Sequence, residues 1–237
     1  MNEPLTKKRL VLVRHGDDPP DDRVALFAAA RGLVADFRRP FEGETLPPLD
    51  EAVAGVVVYG GKYEVYDTER HTFLAGEHRY IEQCLDRDVP LLGICQGAQS
   101  IAHVLGARVG PPAHGMSEFG FYEVTPTEAG RADFLREPLH MTQSHFHEFD
   151  TPAGAVNLAS TDAFPNQAFR VTPRAYGVQF HPEVTAEGFR RWQDAPWARY
   201  SLPGAQTREE QTRLLELHDA AQGVWFDDFL TKLFVTA

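Results

Sequence analysis

The chain has 237 residues and sets 23 Lys plus Arg against 34 Asp plus Glu, for a formal charge of -11. That balance argues against wrapping a nucleic-acid backbone, which needs Lys and Arg to displace counterions, but leaves room for a small anionic substrate at a local site. Two cysteines build neither a disulfide framework nor a four-ligand zinc set with Cys spacing, so a reduced, cytoplasmic setting is expected.

A chain of this length buries roughly 70–75% of its unfolded surface, so its core needs no staple. At the N-terminus, Lys7, Lys8 and Arg9 before an apolar run at 10–13 imitate a leader. The run stops at Arg14, short of the about 7–15 apolar residues of a signal sequence or the about 20 of a membrane span. No leader and no membrane association are expected. The runs at 10–13, 56–59 and 91–94 are apolar without alternation, the pattern of strands covered on both faces in a parallel sheet. Helical patterns lie between them. Residues 22–31 carry Val24, Phe27 and Ala28, and residues 76–88 carry Ile81, Cys84 and Leu85. Residues 96–105 carry Ala98, Ile101, Ala102 and Leu105, with Gly106 as a stop. Alternation of strand and helix predicts a doubly wound α/β fold.

The middle changes character. Residues 119–125, 138–143, 155–160, 168–172 and 175–180 read as shorter strands joined by Pro, Gly and Asn turns. Consecutive strands without long crossovers pair antiparallel, which predicts a mixed, mostly parallel sheet flanked by helices. No repeat or linker interrupts the chain, so residues 1–237 are expected to form one domain with an extended helical segment from about 184. In that segment Thr207 and Glu210 fit a capping box, and Phe226, Phe229, Leu230 and Leu233 form a face that should dock on the body.

The sharpest local signal is Leu91-Leu92-Gly93-Ile94-Cys95-Gln96-Gly97. An apolar strand runs into G-x-C-x-G and an amphipathic helix follows, the nucleophile-elbow pattern with Cys in place of Ser. The turn is sharp, so Gly93 and Gly97 supply room that a side chain would fill. Cys95 then stands at a helix N-terminus, where unpaired N–H groups favour a thiolate, and the N–H of Gln96 is placed for an oxyanion. Cys84, on the inner face of its helix, fits a small buried hydrophobe instead. A thiol nucleophile needs a base, and the base an orienting partner. Tyr176-Gly177-Val178-Gln179-Phe180-His181-Pro182-Glu183 is an apolar strand ending in His-Pro-Glu. Residues i and i+2 of a strand share a side, so His181 and Glu183 would face the same way, with Pro182 ending the ladder.

Together these motifs, with Val58-Tyr59-Gly60-Gly61 after a buried strand and Phe180-His181-Pro182-Glu183 after a late one, resemble the class I (triad) glutamine amidotransferase family over roughly residues 9–185. The resemblance implies Cys95 as nucleophile, His181 as general base and acid, and Glu183 as its orienting partner. It implies an oxyanion hole from the N–H groups of Gly61 and Gln96. Substrate contacts are implied at Gly60 and Gln99 and along Ser144, His145 and Phe146, in the segment whose backbone holds the α-carboxylate end. The implied reaction is attack on a γ-glutamyl amide, a glutamyl thioester, release of ammonia or an amine, and hydrolysis. That half-reaction needs no metal or organic cofactor. Without a synthetase-sized second domain, ammonia would pass to an acceptor enzyme in trans, or the protein would act as a free glutaminase or γ-glutamyl peptidase. A catalytically silent, amidotransferase-like binding subunit is the reading from another class, and the intact triad disfavours it.

Two positions depart from the family pattern. Lys62 follows Gly61 where the family often has Pro, and Phe146 follows His145 where it often has Gly. Both fall in expected substrate loops, so glutamine itself is in question while the triad is untouched. Other motifs compete. Arg14-His15-Gly16 resembles the start of the histidine-phosphatase signature, but the loop from Arg14 to Pro20 fits the border of the active-site edge better. His145 and His147 suggest a metal pair that no carboxylate completes, and the acids Asp17, Asp18, Asp21 and Asp22 fit a solvated loop at a helix start. Trp192, Trp197 and Tyr200 fit packing of the C-terminal segment.

Overall fold

The structure, a computed structural model, describes residues 7–236. Residues 1–6, the first part of the leader-like segment, lie outside the described residues. The elements in chain order are β1 (Arg9–Val13), α1 (Arg23–Ala30), β2 (Val34–Arg38), β3 (Val53–Val58), α2 (Phe73–Asp86), β4 (Leu91–Ile94), α3 (Gln96–Val104), β5 (Val109–Gly110), β6 (Glu118–Pro126), α4 (Glu128–Asp133), β7 (Leu139–His145), β8 (Glu148–Phe149), β9 (Val156–Ser160), β10 (Ala168–Thr172), β11 (Ala175–Val178), α5 (Ala186–Asp194) and α6 (Arg208–Phe234). Among the described residues no helix is long and apolar enough to cross a membrane.

Nine strands form one mixed sheet in the order β2-β1-β3-β4-β11-β10-β9-β6-β7, and β5 pairs with β8 apart from it. The strands from β2 to β11 in that order run parallel. From β11 onward each pairing is antiparallel. The unalternating apolar runs have a direct cause. Leu10 and Leu12 of β1 join Val57 and Leu92 on the face covered by α1 and α6, where Val24, Phe27, Phe226 and Leu230 pack. Val11 and Val13 join Val56, Val58 and Leu91 on the face covered by α2 and α3, where Ile81, Cys84, Ala98 and Ile101 pack. Both faces are dry, so successive residues must both be apolar.

Local signals set the helix ends. The Asp22 carboxylate accepts from the amides of Val24 and Ala25, and the Thr207 hydroxyl accepts from the amide of Glu210, in each case satisfying orphan donors of a first turn. Gly106 ends α3 in the left-handed region, φ 81°. The chain also contains an edge strand, β2, that the apolar pattern does not announce, because its residues are only half-buried or exposed. At the other edge, α6 is tied to β7 through Gln222, whose Oε1 accepts from the Thr142 amide at 2.6 Å and whose Nε2 donates to the Thr142 hydroxyl at 3.1 Å. This contact covers backbone that would otherwise lie open.

Candidate active site

Three parallel strands deliver the candidate residues to one end of the sheet. β4 lies between β3 and β11, with Val58 opposite Gly93 and Ile94 opposite Val178. The residues just beyond their carboxyl ends therefore meet: Gly60 and Gly61 after β3, Cys95 after β4, His181 after β11. Crevices outside the carboxyl ends of strands are where open α/β sheets bind ligands.

The turn at Cys95 is strained. Its φ is 50° and its ψ -108°, a region that residues with a Cβ occupy at a cost of about 1–3 kcal/mol and that clusters at functional sites. The flanking glycines permit the turn. A Cβ on Gly93 would lie 2.6 Å from the carbonyl carbon of Gly97, and one on Gly97 would strike the Val58 carbonyl. The Cys95 amide donates to the Val178 carbonyl at 2.8 Å, which ties the elbow to the strand that carries His181.

His181 and Glu183 face each other across Pro182, with Nδ1 2.8 Å from Oε1. A Cβ on Gly60 would lie 2.6 Å from His181 Cε1 and 3.4 Å from Cys95 Cβ, so the imidazole, the thiol and the Gly60 backbone close on one point. Cys95, His181 and Glu183 are only 6%, 5% and 4% exposed. Burial works against an imidazolium here, and the charges and hydrogen bonds of Glu183 and Cys95 outweigh it, raising His181 to about 10. Trp192 of α5 stands edge-on to the His181 ring at 4.9 Å and shields it from water. In the sequence Trp192 reads only as packing of the tail, because its place against His181 depends on where α5 folds back.

The remaining candidates divide. Gln96 is at the first position of α3, and its side-chain Oε1 accepts from the Tyr63 amide at 2.8 Å, bracing the loop that carries Gly60 and Gly61. Gln99 is buried, and its Nε2 donates to Gln179 at 3.2 Å. The Ser144 carbonyl lies 4.0 Å from Cys95 Sγ, so this segment reaches the thiol. The His145 side chain turns elsewhere: Nε2 lies 2.8 Å from Glu118 and Nδ1 2.9 Å from the His147 carbonyl. Thr161 and Gln167 also donate to Glu118, at 2.6 and 2.8 Å, so a buried polar cluster anchors the strand end behind Ser144. Phe146 is 47% exposed with the Arg199 guanidinium 5.2 Å over its ring. Lys62 reaches over the Tyr63 ring at 5.7 Å.

The competing motifs are engaged otherwise. Arg14 pairs with Asp22, donates to the Asp18 carbonyl at 2.6 Å and lies 4.5 Å over Phe37. Asp21 pairs with Arg191 at 2.7 Å and Asp17 with Arg39 at 3.5 Å. His15 is enclosed by Glu77 and the loop after β3. Cys84 is fully buried, and burial pushes its thiol up to about 12.

The family model described as glutamine amidotransferase class-I matches residues 34–191. This chain belongs to the class-I glutamine amidotransferase family. As a member of that family it is 32% identical over 173 residues to the glutamine amidotransferase-like protein YfeJ of Salmonella typhimurium, covering 68% of this chain and 70% of that one. It is 34% identical over 143 residues to a glutamine-hydrolyzing GMP synthase of Porphyromonas gingivalis, covering 59% of this chain but only 26% of the synthase. A crystal structure of a glutamine amidotransferase from Thermotoga maritima superposes with a TM-score of 0.84 at 26% identity, over 96% of this chain and 98% of the other. One from Methylobacillus flagellatus superposes at 0.85 with 21% identity, over 96% and 94%, a likeness of fold.

Proposed function

We propose that this amidotransferase-family chain hydrolyses a γ-glutamyl amide through a thioester on Cys95. The observation that carries the reading is that His181, paired with Glu183, and Cys95 close on one point at the strand end, both within reach of Gly60. Glu183 accepts from Nδ1 and leaves Nε2 for the thiol side. The charge on His181 is sustained by Glu183 and Cys95, so a proton is stored beside the sulfur before substrate arrives. The sulfur attacks the δ-carbonyl carbon, and the carbonyl oxygen takes the negative charge. The amides of Gly61 and Gln96 receive it; donors aimed at developing charge lower such a barrier by a few kcal/mol each. His181 gives its proton to the leaving nitrogen, the C–N bond breaks, and ammonia or an amine departs. Water then loses a proton to His181 and attacks the thioester, and Cys95 regains its electrons as glutamate leaves. No redox partner or metal enters this sequence.

The matched GMP synthases are named as glutamine-hydrolyzing, which supports glutamine as a substrate; in this reading the ammonia passes to an acceptor enzyme in trans. The reduced thiol that the chemistry requires fits the cytoplasm. A second reading, γ-glutamyl peptidase, draws on Phe146 with Arg199 above it and on Lys62 beside Gly61. An aromatic face and cations at the site's edge suit a leaving amine larger than ammonia. A panel of glutamine and γ-glutamyl peptides, with ammonia and free amine both measured, tests both. Ammonia from glutamine supports the amidotransferase reading, amines from peptides the peptidase. No release from any member, with no thioester in rapid quench, leaves the silent-subunit reading standing.

A further inference from the structure

His15 lies directly behind the loop that carries Gly60 and Gly61. Its side chain is fully buried and that of Glu77, from α2, is 1% exposed. Nε2 lies 3.1 and 2.9 Å from the two Glu77 carboxylate oxygens, which fixes the rotation of the ring. Nδ1 lies 3.2 Å from the Tyr59 carbonyl and 3.2 Å from the Gly60 carbonyl. Carbonyl oxygens only accept, so Nδ1 is a donor to both.

This contact fixes a direction. In a trans peptide the C=O and the following N–H point opposite ways, and the described residues contain no cis bond. A Gly60 carbonyl held toward His15 turns the Gly61 N–H away from it. On its other side Gly60 faces His181 and Cys95. Gly61 itself packs closely against both residues, since a Cβ there would lie 2.5 Å from Gln96 Oε1 and from His15 Cβ. We propose that His15, held by Glu77, is a positioning residue that sets the Gly60–Gly61 peptide so that the Gly61 N–H is aimed at the oxyanion. The inference rests on the thioester reading above for its kinetic consequence, but its geometric content stands apart from it.

The test compares His15→Leu with His15→Asn, both in a Glu77→Gln background so that no buried carboxylate is left unpaired. The Asn amide nitrogen takes the place of Nδ1 and still donates to the two carbonyls; Leu does not. Loss of one oxyanion donor costs about 10²–10³ in kcat, and a misaimed donor should cost on the order of 10–100-fold. The Leu variant should lose that much kcat with KM shifted less than about threefold, and the Asn variant should recover most of it. Crystal structures should show the Gly60–Gly61 peptide rotated in the first and retained in the second. Equal kcat in the two variants, with the peptide unmoved, overturns the proposal. If the Leu variant does not fold, His15→Gln replaces it, because its amide reaches toward residue 77 rather than toward the carbonyls. If the wild-type chain turns over no substrate, the functional reading fails, and the peptide orientation alone decides this one.

Discussion

A Cβ on Gly97 would drive into the carbonyl oxygen of Val58, a backbone atom of the neighbouring strand β3. The first turn of α3 thus lies directly against β3, and no rotamer change relieves a clash with backbone. Gly97→Ala should push the helix start off the sheet and cost about 1–3 kcal/mol, the range of overpacking in a tight core. The urea midpoint should fall with the slope unchanged. Ala tolerated at no cost would mean that α3 sits further from β3.

The strain at Cys95 gives a second prediction in which glycine is favoured over alanine. Cys95→Ala and Cys95→Gly should both abolish turnover. At φ 50° and ψ -108° glycine is unstrained where a Cβ is not, so Cys95→Gly should be more stable than Cys95→Ala by about 1 kcal/mol. Chemical denaturation of the pair measures this. Turnover surviving in either variant would remove Cys95 from the chemistry.

Much of this was legible because it depends on neighbours in sequence. The runs at 10–13 and 91–94 declare strands buried on both faces, since each successive residue meets a dry layer. Gly93 and Gly97 declare the elbow because the crowding comes from the turn itself. His181 and Glu183 are two apart, but β11 ends at Val178 and Pro182 and Glu183 lie in a turn in which the Val184 amide donates to the His181 carbonyl at 3.4 Å, so local chain geometry and not strand alternation brings the two side chains together. What stayed hidden depends on distant parts of the chain meeting. His15 and Glu77 are 62 positions apart, and nothing in the spacing of Arg14-His15-Gly16 points to a carboxylate on α2. Glu118 is an acid in a strand until β7 and the Thr161 loop bring it three partners. The edge strand β2 escaped because its exposure removes the apolar signal.

The tail is expected to act as core. Phe226 is fully buried and packs with Trp225, Phe229 and strand residues of one sheet face. Phe226→Ala should cost about 3–5 kcal/mol, the transfer loss plus the cavity. Thr207→Ala, which removes only the cap of the same helix, should cost about 1 kcal/mol. Thermal unfolding of the two variants checks the ratio; near-equal losses would mean that α6 docks loosely.

His181 links stability to pH. Its ordinary value is about 6.5; in the folded chain burial opposes its charge, but Glu183 and Cys95 raise it to about 10. Between those values the folded protein holds a proton that the unfolded chain has released. The native state then binds more protons, so stability falls as pH rises. The contribution is whole below the unfolded value and lost as pH passes through the folded one. Glu183→Gln removes the chief charge that sustains the imidazolium. The stability gap between wild type and Glu183→Gln should therefore be widest near neutral pH or below and narrow toward about pH 10. Urea titrations across that window measure it, with kcat of the variant followed alongside. Parallel stability curves for the two proteins would mean that His181 is neutral in the resting site, and that the proton for the leaving group comes from the thiol during attack.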